Sequence, residues 1–79
     1  MNGQVDYYHD SYSMLILNKQ TQIKRLYTPF DVLSIESIDE IKMGSTLCVD
    51  EIYTDEDDIL LYKIRGNLYS YSHFIILEY

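Results

Sequence analysis

The sequence predicts a mainly β fold. None of its 79 residues is Ala or Trp, whereas Ile, Val, Thr, Tyr and Phe together supply 28. Side chains of these types suit a pleated surface and lose rotamer freedom in a helix. A second sign is punctuation, because Gly66 and Asn67 separate two strand-like runs as a tight hairpin turn would. A third is the length of the apolar runs. The longest, at residues 14–17, 59–62 and 74–77, are strand-sized and far too short for a membrane span or a signal peptide.

Composition bounds the rest. At 47% hydrophobic residues the chain is too apolar to stay disordered. A domain this small buries only about 60 to 65% of its unfolded surface, so its core is thin and a roomy enclosed active site is not expected. The lone Cys48 can form no internal disulfide and cannot hold zinc by itself. Stability must then come from packing, within one chain or against a partner. One domain spanning residues 1–79 in a cytoplasmic setting fits these bounds.

Residues 1–10 contain Gly3 and show no sustained period, which predicts a loosely attached N-terminal arm. Residues 11–17 and 21–27 read as a hairpin around the polar patch at 18–20. Thr28, Pro29, Phe30 and Asp31 resemble a helix start, with a hydroxyl cap, a proline in the first turn and an acid near the positive dipole end, so one short helix is expected near residues 29–35. Ile35, Ile38 and Ile41 fit a helical stripe or extended chain equally well. Gly44 ends that segment. Residues 46–53 read as a strand in which Leu47 and Val49 share a face, and Ile52 breaks the alternation, implying a bulge near Asp50 and Glu51.

The last third gives the sharpest expectation. A type II′ turn at Gly66 and Asn67 would place Tyr62 opposite Tyr71 and Ile64 opposite Tyr69. One face then carries Leu60, Tyr62, Ile64, Tyr69 and Tyr71, and the other Lys63, Arg65, Ser70 and Ser72. Residues 75–79 form a closing strand, and residues 74–79 are the expected exposed edge through which two copies would pair as a homodimer.

The charge is concentrated. The net value is −7, yet residues 31–58 hold ten acids against Lys42 alone, and the flanking segments are each near neutral. Such a surface either keeps a small β protein soluble or imitates nucleic-acid phosphates toward a basic partner. Asp50, Glu51, Asp55, Glu56, Asp57 and Asp58, with Tyr53, are the candidate partner-binding residues. Counting from Asp55, a calcium loop would require glycine where Leu60 stands and glutamate where Gly66 stands, so no metal site is expected. A site from Cys48, His9 and His73 would need three distant segments to converge. No nucleophile elbow, phosphate loop or zinc-protease signature occurs, so neither an enzyme nor a cofactor is expected. Six tyrosines outside the last hairpin, Tyr7, Tyr8, Tyr12, Tyr27, Tyr53 and Tyr79, are candidates for protein contacts. Stacking on nucleic acid would need a basic groove, which the charge opposes, so no direct nucleic-acid binding is expected.

The order Gly44, Leu47, Val49, Ile52, acidic turn, Tyr62, Ile64, Gly66, Tyr69, Phe74 is similar to the layout of bacterial SH3-like barrels over about residues 41–77. The resemblance implies a small antiparallel sheet of four to six short strands curled into a barrel and transfers no functional residue. The expected function is a small acidic protein-binding module, an inhibitor of the kind bacteriophages encode, which in the host cytoplasm occupies the basic nucleic-acid-binding surface of a larger enzyme. The alternative is an SH3-like structural or adaptor domain that binds a peptide or protein through exposed tyrosines.

Overall fold

A computed structural model describes residues 3–17 and 20–77, with residues 3–9 described by their backbone only. The strands are β1 (Gly3–His9), β2 (Ser13–Leu17), β3 (Ile23–Tyr27), β4 (Phe30–Ser34), β5 (Thr46–Val49), β6 (Glu51–Thr54), β7 (Leu60–Ile64), β8 (Asn67–Ser70) and β9 (Phe74–Ile76). A single 3-10 turn, Tyr71–His73, precedes β9, and there is no α-helix among the described residues. The chain is thus mainly β, as its composition predicts. The strands form three antiparallel ladders, ordered β1-β2-β3, β5-β4-β9 and β6-β7-β8, and among the described residues these do not join into a closed barrel. The strand count exceeds the four to six expected for three reasons. Residues 3–9 pair with β2 instead of remaining outside the sheets, residues 30–34 form a strand where a helix is expected, and the strand expected over 46–53 breaks at Asp50 into segments that serve different ladders.

The helix expected near residues 29–35 is replaced by β4. Phe30, Val32 and Ser34 are buried while Asp31 and Leu33 are half-buried, a period of two that a helix cannot satisfy. β4 is also the middle strand of its ladder, pairing Val32 with Leu47 of β5 and with Ile76 of β9. Tertiary pairing on both edges therefore overrides the local helix-start signal. Buried Ser34 closes the following loop. Its hydroxyl donates to the Lys42 carbonyl at 2.7 Å and accepts from the Ser45 amide at 2.9 Å, so burial leaves it satisfied. Within that loop Ile38 and Ile41 form an isolated bridge and Ile41 is buried.

The hairpin of β7 and β8 turns one residue earlier than predicted. Its central residues are Arg65 and Gly66, at φ 53° and 82°, and the register pairs Ile64 with Asn67 and Tyr62 with Tyr69. Two consecutive positive φ values define a type I′ turn, whose twist matches the flanking strands. The change slips β8 by two residues, an even shift that keeps Tyr69 on the face of Leu60, Tyr62 and Ile64, which are buried with Tyr69 packed against the core. Tyr71, expected opposite Tyr62, leaves the ladder and enters the 3-10 turn.

The core draws on all three ladders. Met14 and Ile16 of β2 join Phe30, Val32, Leu47, Val49, Ile52, Leu60, Tyr62, Ile64, Phe74 and Ile76 in one buried cluster. Tyr62 meets Phe30 edge-on at 5.5 Å between ring centroids and lies 6.1 Å from Phe74, favourable aromatic geometries that tie β7 to β4 and β9. The first hairpin occurs as expected, pairing Ser13–Leu17 with Ile23–Tyr27. It is held to β6 by the Ile52 amide, which donates to the Ser11 carbonyl at 2.8 Å. The edge expected at residues 74–79 is present in part: β9 is the outer strand of its ladder, paired on one side with β4, with Phe74 and Ile76 buried and Ile75 exposed, and Glu78 and Tyr79 lie outside the described residues.

The turn geometry makes a direct prediction. A Cβ on Gly66 would meet nothing within 4 Å, so a substitution there costs only the left-handed backbone conformation. Gly66→Val should destabilise the protein by about 1–2 kcal/mol, whereas Arg65→Asn, which makes the Asn-Gly pair preferred by this turn, should be neutral or stabilising. Urea denaturation of both variants checks the pair.

Candidate functional site

The candidate acidic residues lie on β6, at the β5–β6 break and in the turn between β6 and β7. At the break, Asp50 is exposed and its amide donates to the Lys63 carbonyl at 2.9 Å. This bond anchors the bend to β7, while the side chain points away from the core. Glu51 and Tyr53 follow on the outward face of β6, alternating with buried Ile52. One Glu51 oxygen lies 3.8 Å from Lys63 Nζ, across the ladder, and the other accepts the Tyr53 hydroxyl. That hydrogen bond is the main cause, ahead of burial and the Glu51 charge, that raises the Tyr53 phenol above its ordinary range. Glu51 and Tyr53 are therefore engaged with each other. The Lys63 pair is half-exposed and contributes at most about 1 kcal/mol.

The turn divides its four acids into one builder and three displayed charges. Asp55 Oδ1 accepts from the Asp57 amide at 2.8 Å and from the Ile59 amide at 2.9 Å. The Asp55 amide donates to the Ile59 carbonyl, and the Asp58 amide to the Asp55 carbonyl. Asp58 sits at φ 62°, a conformation aspartate tolerates better than most residues. A carboxylate two residues before an amide it binds is the aspartate turn that sequence statistics associate with this residue type. Asp55 is half-buried, and Glu56, Asp57 and Asp58 are exposed. Of the six acids singled out in the sequence, Asp50, Glu56, Asp57 and Asp58 are displayed, while Glu51 and Asp55 are partly consumed by local structure.

The structure adds a residue that sequence spacing did not indicate. Asp31 of β4 is the register partner of Cys48 on β5, two residues before Asp50. Partial burial first, then the charges of Asp50 and Asp31, push the exposed Cys48 thiol above its usual range. Only the β4–β5 register brings Asp31 to this surface, and the sequence gives no sign of that register because it reads residues 28–31 as a helix start.

Elsewhere, His73 in the 3-10 turn contacts the Glu36 carboxylate through Nδ1. Among the described residues no three His, Cys, Asp or Glu side chains gather as a metal would require, and the His9 side chain lies outside those described. No helix of the described residues is long and apolar enough to cross a membrane. The tyrosines separate into two sets. Tyr62 is buried with Tyr69 and Tyr71 packed against the core, whereas Tyr12 and Tyr27 are 61% and 65% exposed. Tyr7, Tyr8 and Tyr79 lie outside the described side chains. Comparison with family models, curated proteins and solved structures finds no match to this chain.

Two outcomes follow from this division of labour. Asp55→Ala should cost about 1–3 kcal/mol because two turn amides lose their acceptor, while Asp57→Asn should stay within about 0.5 kcal/mol of the parent protein; urea midpoints distinguish them. Because its raised pKa leaves less thiolate near neutral pH, Cys48 should react with iodoacetamide more slowly than a free thiol, and Asp50→Asn should accelerate the reaction. Timed alkylation followed by mass spectrometry reads both rates.

Proposed function

We propose that this chain is a small acidic protein-binding module that docks on a basic surface of a larger partner, as an inhibitor covering the nucleic-acid-binding surface of an enzyme would. The observation that supports this reading is the separation of roles in the acidic segment. Asp55 builds the β6–β7 turn, and that turn holds Glu56, Asp57 and Asp58 in solvent at one end of β6, while exposed Asp50 precedes its other end. Carboxylates on a hydrogen-bonded turn lose less freedom on binding than those on a loose loop. A field of one sign steers a basic partner toward its face. The fold that carries this face is an SH3-like curl of residues 30–77. Supporting that assignment, β9 returns to pair with β4 just after the 3-10 turn, and the bent segment formed by β5 and β6 is shared by two ladders.

A second reading, an adaptor that binds a peptide through tyrosines, is favoured by the exposure of Tyr12 and Tyr27. The two make opposite predictions for salt. Charge pairing between exposed groups weakens as the screening length shortens, and aromatic burial does not. Titration of the isotopically labelled protein with an arginine- and lysine-rich peptide should move the amide resonances of residues 50 and 56–58. The shifts should vanish at about 500 mM NaCl, where screening is nearly complete over such distances. Shifts that centre on Tyr12 and Tyr27 and survive salt would replace the first reading with the second.

A further inference from the structure

The β5-β4-β9 ladder is apolar on both of its faces. Phe30, Val32, Phe74 and Ile76 belong to the core cluster, so strand alternation sends Leu33, Ile35, Ile75 and Leu77 to the opposite face. The register sets these four side by side. Leu33 is the partner of Ile75, and the ladder continues at both ends, where the Ile35 amide donates to the His73 carbonyl at 2.9 Å and the Leu77 amide to the Asp31 carbonyl at 3.0 Å. Ile35 and Ile75 are exposed, and Leu33 and Leu77 are half-buried, so none of the described residues seals this side. An unbroken apolar run such as residues 74–77 is the pattern of a strand covered on both faces.

One end of the strip is anionic. Asp31 occupies the next outward position of β4 beyond Leu33, opposite Cys48, and exposed Asp50 lies two residues past Cys48. Partial burial and then the charges of Asp50 and Asp31 push up the Cys48 thiol, so the negative potential of both acids covers this corner. No strand of the ladder carries a cation. We infer that this face receives an amphipathic α-helix of a protein partner, two apolar residues one turn apart lying over Ile35 and over the Leu33–Ile75 pair, and an arginine or lysine one turn further on meeting Asp31 and Asp50. The spacing suits a helix. Alternate residues of a strand stand about 6.6 Å apart, and helix positions four residues apart are separated by a rise of about 6 Å, so three successive rows of the face match positions i, i+4 and i+8. The half-buried Leu77 lies beside Asp31, where it meets the aliphatic stem of the cation. A helix laid on a sheet is an ordinary way to cover an apolar face. A second copy of this chain cannot supply one, because none of its described residues is α-helical. The face shares only Asp50 with the acidic surface proposed above, so the two readings stand apart.

The test uses the intact, isotopically labelled protein and a synthetic alanine-based peptide of about 16 residues, long enough to form helix in water. Its leucines stand at i and i+4 and its arginine at i+8. Titration should move the amide resonances of residues 33, 35, 75 and 77. Glutamate in place of the peptide arginine, or serine in place of both leucines, should raise the dissociation constant about tenfold or more. Ile35→Ser and Ile75→Ser in the protein should each do the same; both replace exposed side chains, so urea midpoints near the parent's are expected. The peptide substitutions leave the protein unaltered and decide the matter if either variant fails to fold. Asp57→Asn should bind the helical peptide as the parent does, which separates this face from the acidic turn. A peptide that moves no resonance at millimolar concentration overturns the inference, as does equal binding with glutamate for arginine. Shifts centred on residues 56–58 instead of the strip also overturn it.

Discussion

The junction of two of the three ladders centres on the burial of Tyr62. The side chain is 1% exposed at the middle of β7 and touches the rings of Phe30 and Phe74, so a single aromatic group ties the β6-β7-β8 ladder to the β5-β4-β9 ladder. With no α-helix among the described residues to pack over the sheets, a chain this small has few ways to cover apolar strand faces, and setting ladder against ladder is the one used here. Aromatic side chains suit such a junction because each fills a large volume at a defined angle. The first hairpin completes the enclosure by adding Met14 and Ile16 to the same cluster.

From that packing the acidic surface acquires its form. Strand alternation forces Ile52 inward, so Glu51 and Tyr53 must face outward, and the chain then has to turn before Leu60 re-enters the core. Asp55 makes that turn by accepting two amides, which sets the next three carboxylates in water. The division between structural and displayed acids is thus a consequence of where the apolar residues must go. Asp10 shows the same use of aspartate near the first hairpin. It accepts from the Tyr12 amide, which holds its carboxyl below the ordinary range. The stabilisation it brings is present above the ordinary carboxylate pKa and is lost as pH falls toward its lowered value.

Much of this was legible in the sequence, and what was not has identifiable causes. The alternation of Leu60, Tyr62 and Ile64 located β7 and its buried face, and the polar patch at 18–20 marked the first hairpin. The break at Asp50 was visible as a lapse in alternation before Ile52. The hairpin turn was misplaced by one residue because Gly66 fits the first central position of one turn type and the second of another, and nothing in the letters shows that Arg65 also takes a positive φ. The segment at 28–31 carried a true local helix signal that lost to pairing on two edges, a non-local effect. Asp31 was missed as a neighbour of Cys48 and Asp50 for the same reason.

The central claim is that apolar packing holds the fold while the displayed acids are surplus charge, free to act on a partner. Its most direct test is the urea midpoint of the unmodified protein, at a dilution where it is monomeric, as NaCl rises from about 10 to about 300 mM, a range over which the screening length shrinks from about 30 Å to well under 10 Å. If the displayed carboxylates mainly repel one another, screening relieves that repulsion and the midpoint rises. A midpoint that falls with salt would mean that attractive ion pairs among these charges hold the fold together, and would contradict the account.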